Sequence, residues 1–417
     1  MPERPSIAFA NPQLARPSIF PPHSGYAQRL FWLAKHSSEL GARVRIFSIG
    51  KKRTSSCFHD GVFETVVKGF RIKKPERGIM RLVDYVGYPL FGMPFSQKVF
   101  DMNKHISAYF EAFSADIIDC NFGMPMVSAC AKAADKLDIP LVVTFHNVWT
   151  LLYMRAFRIL TNKLPFSFSA NHLSKPAAKR EVGITKLADQ TICVSENDRR
   201  MLVKMGAPAE KISVIPNGVV SNAYEHINEQ LIRETRKFLG ISPSDSVVVF
   251  LGSRGWFPNE LAFKDILQKI GPELKQKSPQ TRILVIGRGH IPKKLGNIQI
   301  IGEVPDIRPY IALADVAICP LTMGGGTKLK ILEYFAASKP VITSSYGIEG
   351  FSSLDSKKDV ILEEEISEFP NQVANLLEDS ALKEALGNNG RKIAFKYDWK
   401  EISGQYMQII QRMCGKK

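Results

Sequence analysis

Lys328, Lys330 and Glu333 follow three consecutive glycines, at 324–326, in the stretch PLTMGGGTKLKILEYFAASKPVITS (residues 320–344). Glycine lets a backbone approach a ligand closely or take positive φ. A helix opening behind such a loop offers unsatisfied amides and the positive end of its dipole, and both favour an anion. Two lysines strengthen that preference. At about 100° per residue, Gly326, Lys330, Glu333 and Ala337 share one stripe, with Leu329, Leu332 and Ala336 on the core side. Glu333, more than a turn into the helix, suits a hydroxyl-rich group such as ribose, because a carboxylate accepts hydrogen bonds from two hydroxyls. The segment reads as built for a nucleoside diphosphate. It lacks the Gly-x-x-x-x-Gly-Lys-Ser/Thr spacing of a P-loop. The plain alternative is a solvated Lys–Glu pair worth ~0.2–0.5 kcal/mol.

Other candidates are ranked by where strands end, since open α/β domains bind ligands beyond the carboxyl ends of their strands. His146 and Asn147 follow directly on the apolar run LVVTF. A structural histidine is the bland alternative. FPPHSGYAQRL (residues 20–30) places Ser24 and Gly25 where a helix opens and an anion could dock. A plain loop with a tight turn explains that stretch equally well. VIGRGH (285–290) is a strand-to-loop turn with two glycines, a weak signal. No Asp-any-Asp pair occurs in the chain, and no Cys/His cluster has zinc spacing, so no metal site is expected.

These residues need elements to hold them. Strand-like runs SIAFA, VRIFSI, DIIDC, PLVVTFHN, QTICVS and KISVIPN come first, then SVVVFLG, RILVIGRG, IQIIG, DVAICP and PVITSS. Amphipathic stretches separate them, such as 26–40, 125–137, 198–205 and 261–275. Strand–helix alternation argues for parallel sheets covered by helices on both faces. With 417 residues, two such series imply two doubly wound domains, divided between 216 and 236 where PNG ends a strand. Residues 398–413 read as a last helix. No apolar run approaches the ~20 residues of a spanning helix, and the start MPERPSIAFANP does not read as a signal peptide. The six cysteines form no Cys-x-x-Cys pair and suit buried free thiols in a reducing cytoplasm. Net charge is +16, concentrated in residues 1–220, with 30 Lys and Arg against 17 Asp and Glu. Residues 221–417 hold 26 against 23. Such a field favours an anionic partner. Nucleic acid is not expected, because no basic–aromatic interleaved motif accompanies the charge.

Several stretches together resemble the group 1 retaining glycosyltransferases (family four) of the GT-B type, over nearly the whole chain. HSGYAQRLFWLAKHSSELGARVRIFS is similar to that family's first loop, helix and second strand. IPLVVTFHN is similar to the strand bearing its active-site histidine, and LADQTICVSENDRRMLVKMGAPAEKISVIPNGV to the close of its first domain. The most specific piece is VPDIRPYIALADVAICPLTMGGGTKLKILEYFAASKPVITS, and YDWKEISGQYMQII is similar to the last helix. The resemblance implies an α/β GT-B fold with two Rossmann-like doubly wound domains facing across a cleft. Residues 1–220, completed by a helix at 398–417, would form the acceptor side, and 221–397 the nucleotide-sugar side. It implies catalytic roles for His146, beside the donor's anomeric carbon, and for Lys330, on the diphosphate. Glu333 matches the second glutamate of the family's Glu-seven residues-Glu signature and would hold the ribose. Gly25 would lie in the loop that closes over the phosphates.

Two positions depart from the pattern. The first signature glutamate falls at Gly325, which leaves the amides of Gly325, Gly326 and Thr327 to hold sugar or phosphate. Arg254 stands one place later than the family's arginine and Pro258 at its lysine, so Lys328 and Lys330 would carry the phosphate charge. The implied activity is metal-independent, retaining transfer of a hexosyl group from a UDP- or GDP-activated sugar, a co-substrate rather than a cofactor. The acceptor would be a glycan or lipid-linked molecule of cell-surface polysaccharide or glycoconjugate synthesis, at the inner face of the membrane. An epimerase-like enzyme of the same fold, or a non-catalytic relative, is the alternative.

KGFRIKKPERGIMRLVDYVGYPLFGMPF (68–95) interleaves basic and apolar residues in the basic half. That mixture suits peripheral contact with anionic lipid. An ordinary loop with its apolar residues packed inward is the alternative. Each basic residue near such a surface contributes ~1 kcal/mol, so Lys73, Lys74, Arg77 and Arg81 would give reversible binding. In co-sedimentation the protein is expected to pellet with anionic vesicles, to ignore neutral ones and to be released by salt. A protein that stays in the supernatant with both contradicts the membrane reading.

Overall fold

The computed structural model describes residues 4–11, 25–50, 55–68, 103–121, 124–161, 170–352 and 354–415. The chain forms two α/β units. One comprises Met1–Asn217 with Trp399–Lys417, the other Gly218–Asp398. Ser24 and nearly all of the stretch 68–95 lie outside the described residues, including Lys73, Lys74, Arg77 and Arg81.

The first unit carries β1 (Ser6–Asn11), β2 (Arg43–Gly50), β3 (Ser55–His59), β4 (Val62–Lys68), β5 (Ile117–Asn121), β6 (Leu141–Phe145), β7 (Gln190–Cys193) and β8 (Ile212–Val214). Among the described residues their order is β3-β4-β2-β1-β5-β6-β7-β8. All pairs are parallel except the β3–β4 hairpin. The hairpin turns on Asp60 and Gly61, at φ 46° and 84°. An Asp-Gly pair supplies that backbone at low cost. Chain order reverses at β1, which lies between β2 and β5, so a crevice opens at the carboxyl ends of β1 and β5.

The second unit carries β9 (Ser246–Leu251), β10 (Thr281–Ile286), β11 (Lys293–Leu295), β12 (Ile298–Gly302), β13 (Val316–Cys319), β14 (Val341–Thr343) and β15 (Ile361–Leu362). Their order is β11-β12-β10-β9-β13-β14-β15 among the described residues, with only β11 antiparallel. Reversal falls at β9, between β10 and β13. The valine run of β9 is fully buried, as a strand covered on both faces must be. Both units are Rossmann-like and doubly wound.

The boundary lies at Asn217, and residues 218–220, expected in the first domain, belong to the second unit. Hydrogen bonding explains this. Val219 N–H donates to the Tyr397 carbonyl at 2.9 Å. Ser221 gives its N–H and hydroxyl to Asp398 Oδ2, at 3.0 and 2.6 Å. Asp398 is likewise in the second unit, and the helix Trp399–Cys414 belongs to the first.

That helix brings Tyr406 to a buried polar cluster. Its hydroxyl donates to Asp119 Oδ2 at 2.9 Å, and the Thr144 hydroxyl donates to Oδ1 at 3.0 Å. Arg29, from the helix Gly25–Glu39, is also fully buried and gives Nη1 to the Pro216 carbonyl and to Asn217 Oδ1. Burial raises the Asp119 pKa to about 6, while Tyr406, Thr144 and Arg29 hold it back. The native state therefore keeps an extra proton between about pH 4 and the folded value, and this group's contribution to stability falls as pH rises through that window. Tyr406→Phe removes one donor from a buried carboxylate and is expected to cost ~1.5–3 kcal/mol. It also raises the upper end of the pH window. Urea unfolding at several pH values reads both effects, and a wild-type midpoint throughout contradicts them.

Candidate functional site

In the second unit, three loops meet at the carboxyl ends of β9, β10 and β13. Gly252 follows β9, and a Cβ there would lie 2.7 Å from the Phe250 ring and 3.2 Å from the Asn259 side chain. Gly287 follows β10 at φ 156°, its backbone against that of Gly252. His290 closes the same corner, bonded through Nε2 to the Gly252 carbonyl at 2.7 Å. Gly326 takes φ 61°, and Gly350 packs against it so tightly that a Cβ would stand 2.7 Å from the Gly326 carbonyl oxygen. These contacts need glycine for space and for positive φ.

The helix behind the glycine loop is Leu329–Ala336. Gly326 therefore lies in the loop and not on the helical stripe expected for it, because the chain stays extended through Lys328 (φ −90°, ψ 98°). Leu329 is only half-buried. The core side is wider than expected, with Ile331, Leu332, Tyr334, Phe335 and Ala336 all buried. Two contacts fix the helix. The Leu251 N–H donates to the Tyr334 hydroxyl at 2.7 Å. The helix Ser380–Lys396 presses on it at Gly390, where a Cβ would lie 2.5 Å from the Phe335 ring.

Lys330 and Glu333 stand one turn apart on this helix and do not pair with each other. Lys330 Nζ donates to Asn259 Oδ1 at 2.9 Å and lies 4.4 Å from the centre of the Phe250 ring. Asn259 is oriented in turn by its bond to the Ser253 carbonyl at 3.1 Å. Burial pulls the Lys330 pKa down to about 8, with Lys328 adding to the effect and Cys319 opposing it. Glu333 Oε2 accepts from the Tyr224 hydroxyl at 2.9 Å. Burial raises the Glu333 pKa, Tyr224 and Arg308 lower it, and Asp306 raises it. The solvated Lys–Glu pair is therefore not what forms.

The remaining candidates of this unit fall nearby with different partners. Lys328 turns its ammonium back onto the carbonyls of Gly325 and Gly326, at 2.9 and 3.0 Å. Gly325, Gly326 and Thr327 are buried in the loop. Arg254 is paired with Glu260 at 2.8 Å and lies over the Phe263 ring. Sequence reasoning missed Asn259, Phe250 and Tyr224. Asn259 and Tyr224 lie 71 and 109 residues from their partners, and no local pattern announces such contacts.

In the first unit, His146 follows β6 and Asn121 ends the neighbouring β5. His146 Nε2 is 2.8 Å from Asn121 Oδ1. With that oxygen as acceptor, Nε2 carries the proton and Nδ1 is the acceptor nitrogen. Burial holds the His146 pKa well below the usual histidine range, and the Arg29 charge adds to this. The imidazole is neutral at pH 7. Tyr26 packs its ring 4.4 Å from that of His146. Tyr26 comes from the helix that Gly25 opens. Four of the six cysteines are buried thiols, and none of the six is in a disulfide. Among the described residues no group of three His, Cys, Asp or Glu side chains could hold a metal ion. No described helix is long and apolar enough to cross a membrane.

Residues 23–222 match the family model described as glycosyltransferase family 4, and residues 245–379 match that described as glycosyl transferases group 1. The chain belongs to the group 1 glycosyltransferases and has their two-domain GT-B fold. Solved structures agree on the fold. Sucrose-phosphate synthase from Thermosynechococcus elongatus superposes with a TM-score of 0.74 at 15% identity, covering 99% of this chain and 100% of that one. HepE from Anabaena, in complex with UDP-glucose, gives 0.69 at 16% identity over 98% and 99%. WaaG, a glycosyltransferase involved in lipopolysaccharide biosynthesis, gives 0.61 at 14% over 97% and 99%. No curated protein matches the chain in sequence.

Proposed function

We propose that the protein transfers a sugar from a UDP- or GDP-activated donor, without a metal ion and with retention of anomeric configuration, to a glycan or lipid-linked acceptor. The observation that carries the donor reading is the pair Lys330 and Glu333. Each is held by a neutral partner, and neither is neutralised by the other. Half-buried charges arranged in this way lower stability and suit a ligand that supplies the missing counter-charge and hydroxyls. The Anabaena relative with UDP-glucose supports a nucleotide-sugar donor. Retention rests on the family resemblance, as does the acceptor.

Lys330 faces the diphosphate and stabilises the charge that grows on it as the glycosidic bond breaks, the kind of fixed electrostatic aid that lowers such barriers most. Glu333 takes the ribose hydroxyls. The amides of Gly325, Gly326 and Thr327 hold sugar or phosphate oxygens in place of the missing glutamate. Lys328 serves the loop itself by tying its carbonyls, and Arg254 supports the corner through Glu260. His146, neutral, accepts a sugar hydroxyl at Nδ1. Gly25 lets the first helix begin beside the phosphates. The acceptor's proton passes to the leaving phosphate, so the chain need supply no general-base carboxylate.

Lys330→Ala and Glu333→Gln each remove a charged hydrogen bond to donor, worth ~1.5–3 kcal/mol, and are expected to lower kcat/KM for donor about 10- to 150-fold. Thermal stability is expected to hold or rise. The ammonium is charged below its pKa of about 8 and loses its charge above it. Donor kcat/KM should therefore fall as pH rises through that value, and Lys330→Ala should lack this limb. Full turnover is expected in EDTA. Folded Lys330→Ala with wild-type donor kinetics sinks the phosphate assignment, and activity that only magnesium or manganese restores sinks metal independence.

A further inference from the structure

The partner of Glu333 carries a further consequence. Arg308, the nearby cation, is committed elsewhere. Its Nε donates to both oxygens of Asp306, at 2.9 and 3.0 Å, and its Nη2 donates to Oδ2 at 2.7 Å. Glu333 therefore accepts one side-chain hydrogen bond among the described residues, from the Tyr224 phenol to Oε2. The other oxygen, Oε1, accepts none there and is not sealed from solvent.

Tyr224 sits on a strap that cannot easily follow Glu333 if the carboxylate turns. Three residues before it, Ser221 is bonded twice to Asp398. One residue after it, Glu225 pairs with Arg391 at 2.8 Å. Arg391 also donates to the Ala336 carbonyl at the end of the Glu333 helix, at 2.6 Å. The phenol is thus a fixed donor aimed at one carboxylate oxygen. A free glutamate rotates about its last bond and offers its lone pairs in any plane. One held at Oε2 offers Oε1, and the second lone pair of Oε2, in a single plane.

We propose that Tyr224 is a positioning residue of the ribose subsite, fixing the Glu333 carboxylate so that it meets both hydroxyls of a ribose rather than one. This rests on the reading of Glu333 as the ribose acceptor. The specificity it confers is for ribonucleoside over deoxyribonucleoside diphosphates. Sites built to bond a hydroxyl reject ligands that lack it, because their own polar groups are then left unpaired. The aromatic ring is not needed for this, so Tyr224→Phe separates the hydroxyl from the packing.

The experiment is calorimetric titration of the full chain with UDP, GDP and their 2′-deoxy forms, using wild type, Tyr224→Phe and Glu333→Gln, with thermal midpoints measured beside it. Wild type is expected to favour the ribo form of the nucleotide it binds. Tyr224→Phe should keep its affinity for the deoxy form while its ribo-over-deoxy ratio falls about 5-fold, the loss of a modest hydrogen bond. Glu333→Gln should lower ribo affinity as well. A ratio unchanged in folded Tyr224→Phe, with Glu333→Gln still impaired, overturns the role of Tyr224 alone. Wild type that binds neither ribonucleotide, or binds it regardless of Glu333→Gln, overturns the ribose reading and the role of Tyr224 with it.

Discussion

Two opposite charges one helical turn apart, each kept from the other by a neutral partner, set the terms for the second unit. A Lys–Glu pair left to itself on a helix closes into a salt bridge. Here the amide oxygen of Asn259 and the ring of Phe250 hold Lys330, and the phenol of Tyr224 holds Glu333. Keeping both open requires the helix to be fixed in rotation and depth. Tyr334 does this against the end of β9, and Gly390 lets the neighbouring helix seat on Phe335. The glycines at 252 and 287 follow from the same demand, since the chain between Phe250 on β9 and Asn259 must pass the turn after β10 backbone to backbone.

The first unit meets its own constraint differently. Two of its buried charges, Arg29 and Asp119, are tied to backbone, amide and hydroxyl groups, and the last helix supplies one of those hydroxyls through Tyr406. Burial depresses the pKa of the neutral His146, and the Arg29 charge adds to this. The first unit holds a neutral imidazole and the second a half-buried cation and anion.

Much of the fold was legible because parallel strands buried on both faces read as short apolar runs. Every run named from the sequence became a strand, from β1 at Ser6–Asn11 to β14 at Val341–Thr343. The hairpin of β3 and β4 escaped notice because Phe58 and Phe63 point outward and Glu64 inward, which inverts the expected pattern, although Asp60-Gly61 signalled the turn. Helices such as Ala170–Leu187 were also missed, this one with a proline inside it. In the site, residue types and spacing singled out the glycine loop, Lys330 and Glu333. They did not give the partners. Asn259 and Tyr224 come from distant segments, and Lys328, alike in sequence to Lys330, turns back on its own loop because it precedes the helix and can reach the carbonyls of Gly325 and Gly326.

The central claim is that a nucleoside diphosphate docks where the loops after β9, β10 and β13 meet. Amide hydrogen exchange with and without saturating UDP or GDP tests it most directly. The account predicts slower exchange confined, within the second unit, to residues 252–260, 287–290 and 324–336, with one of the two nucleotides. Protection centred elsewhere in that unit, or none with any nucleotide shown to bind, would contradict it.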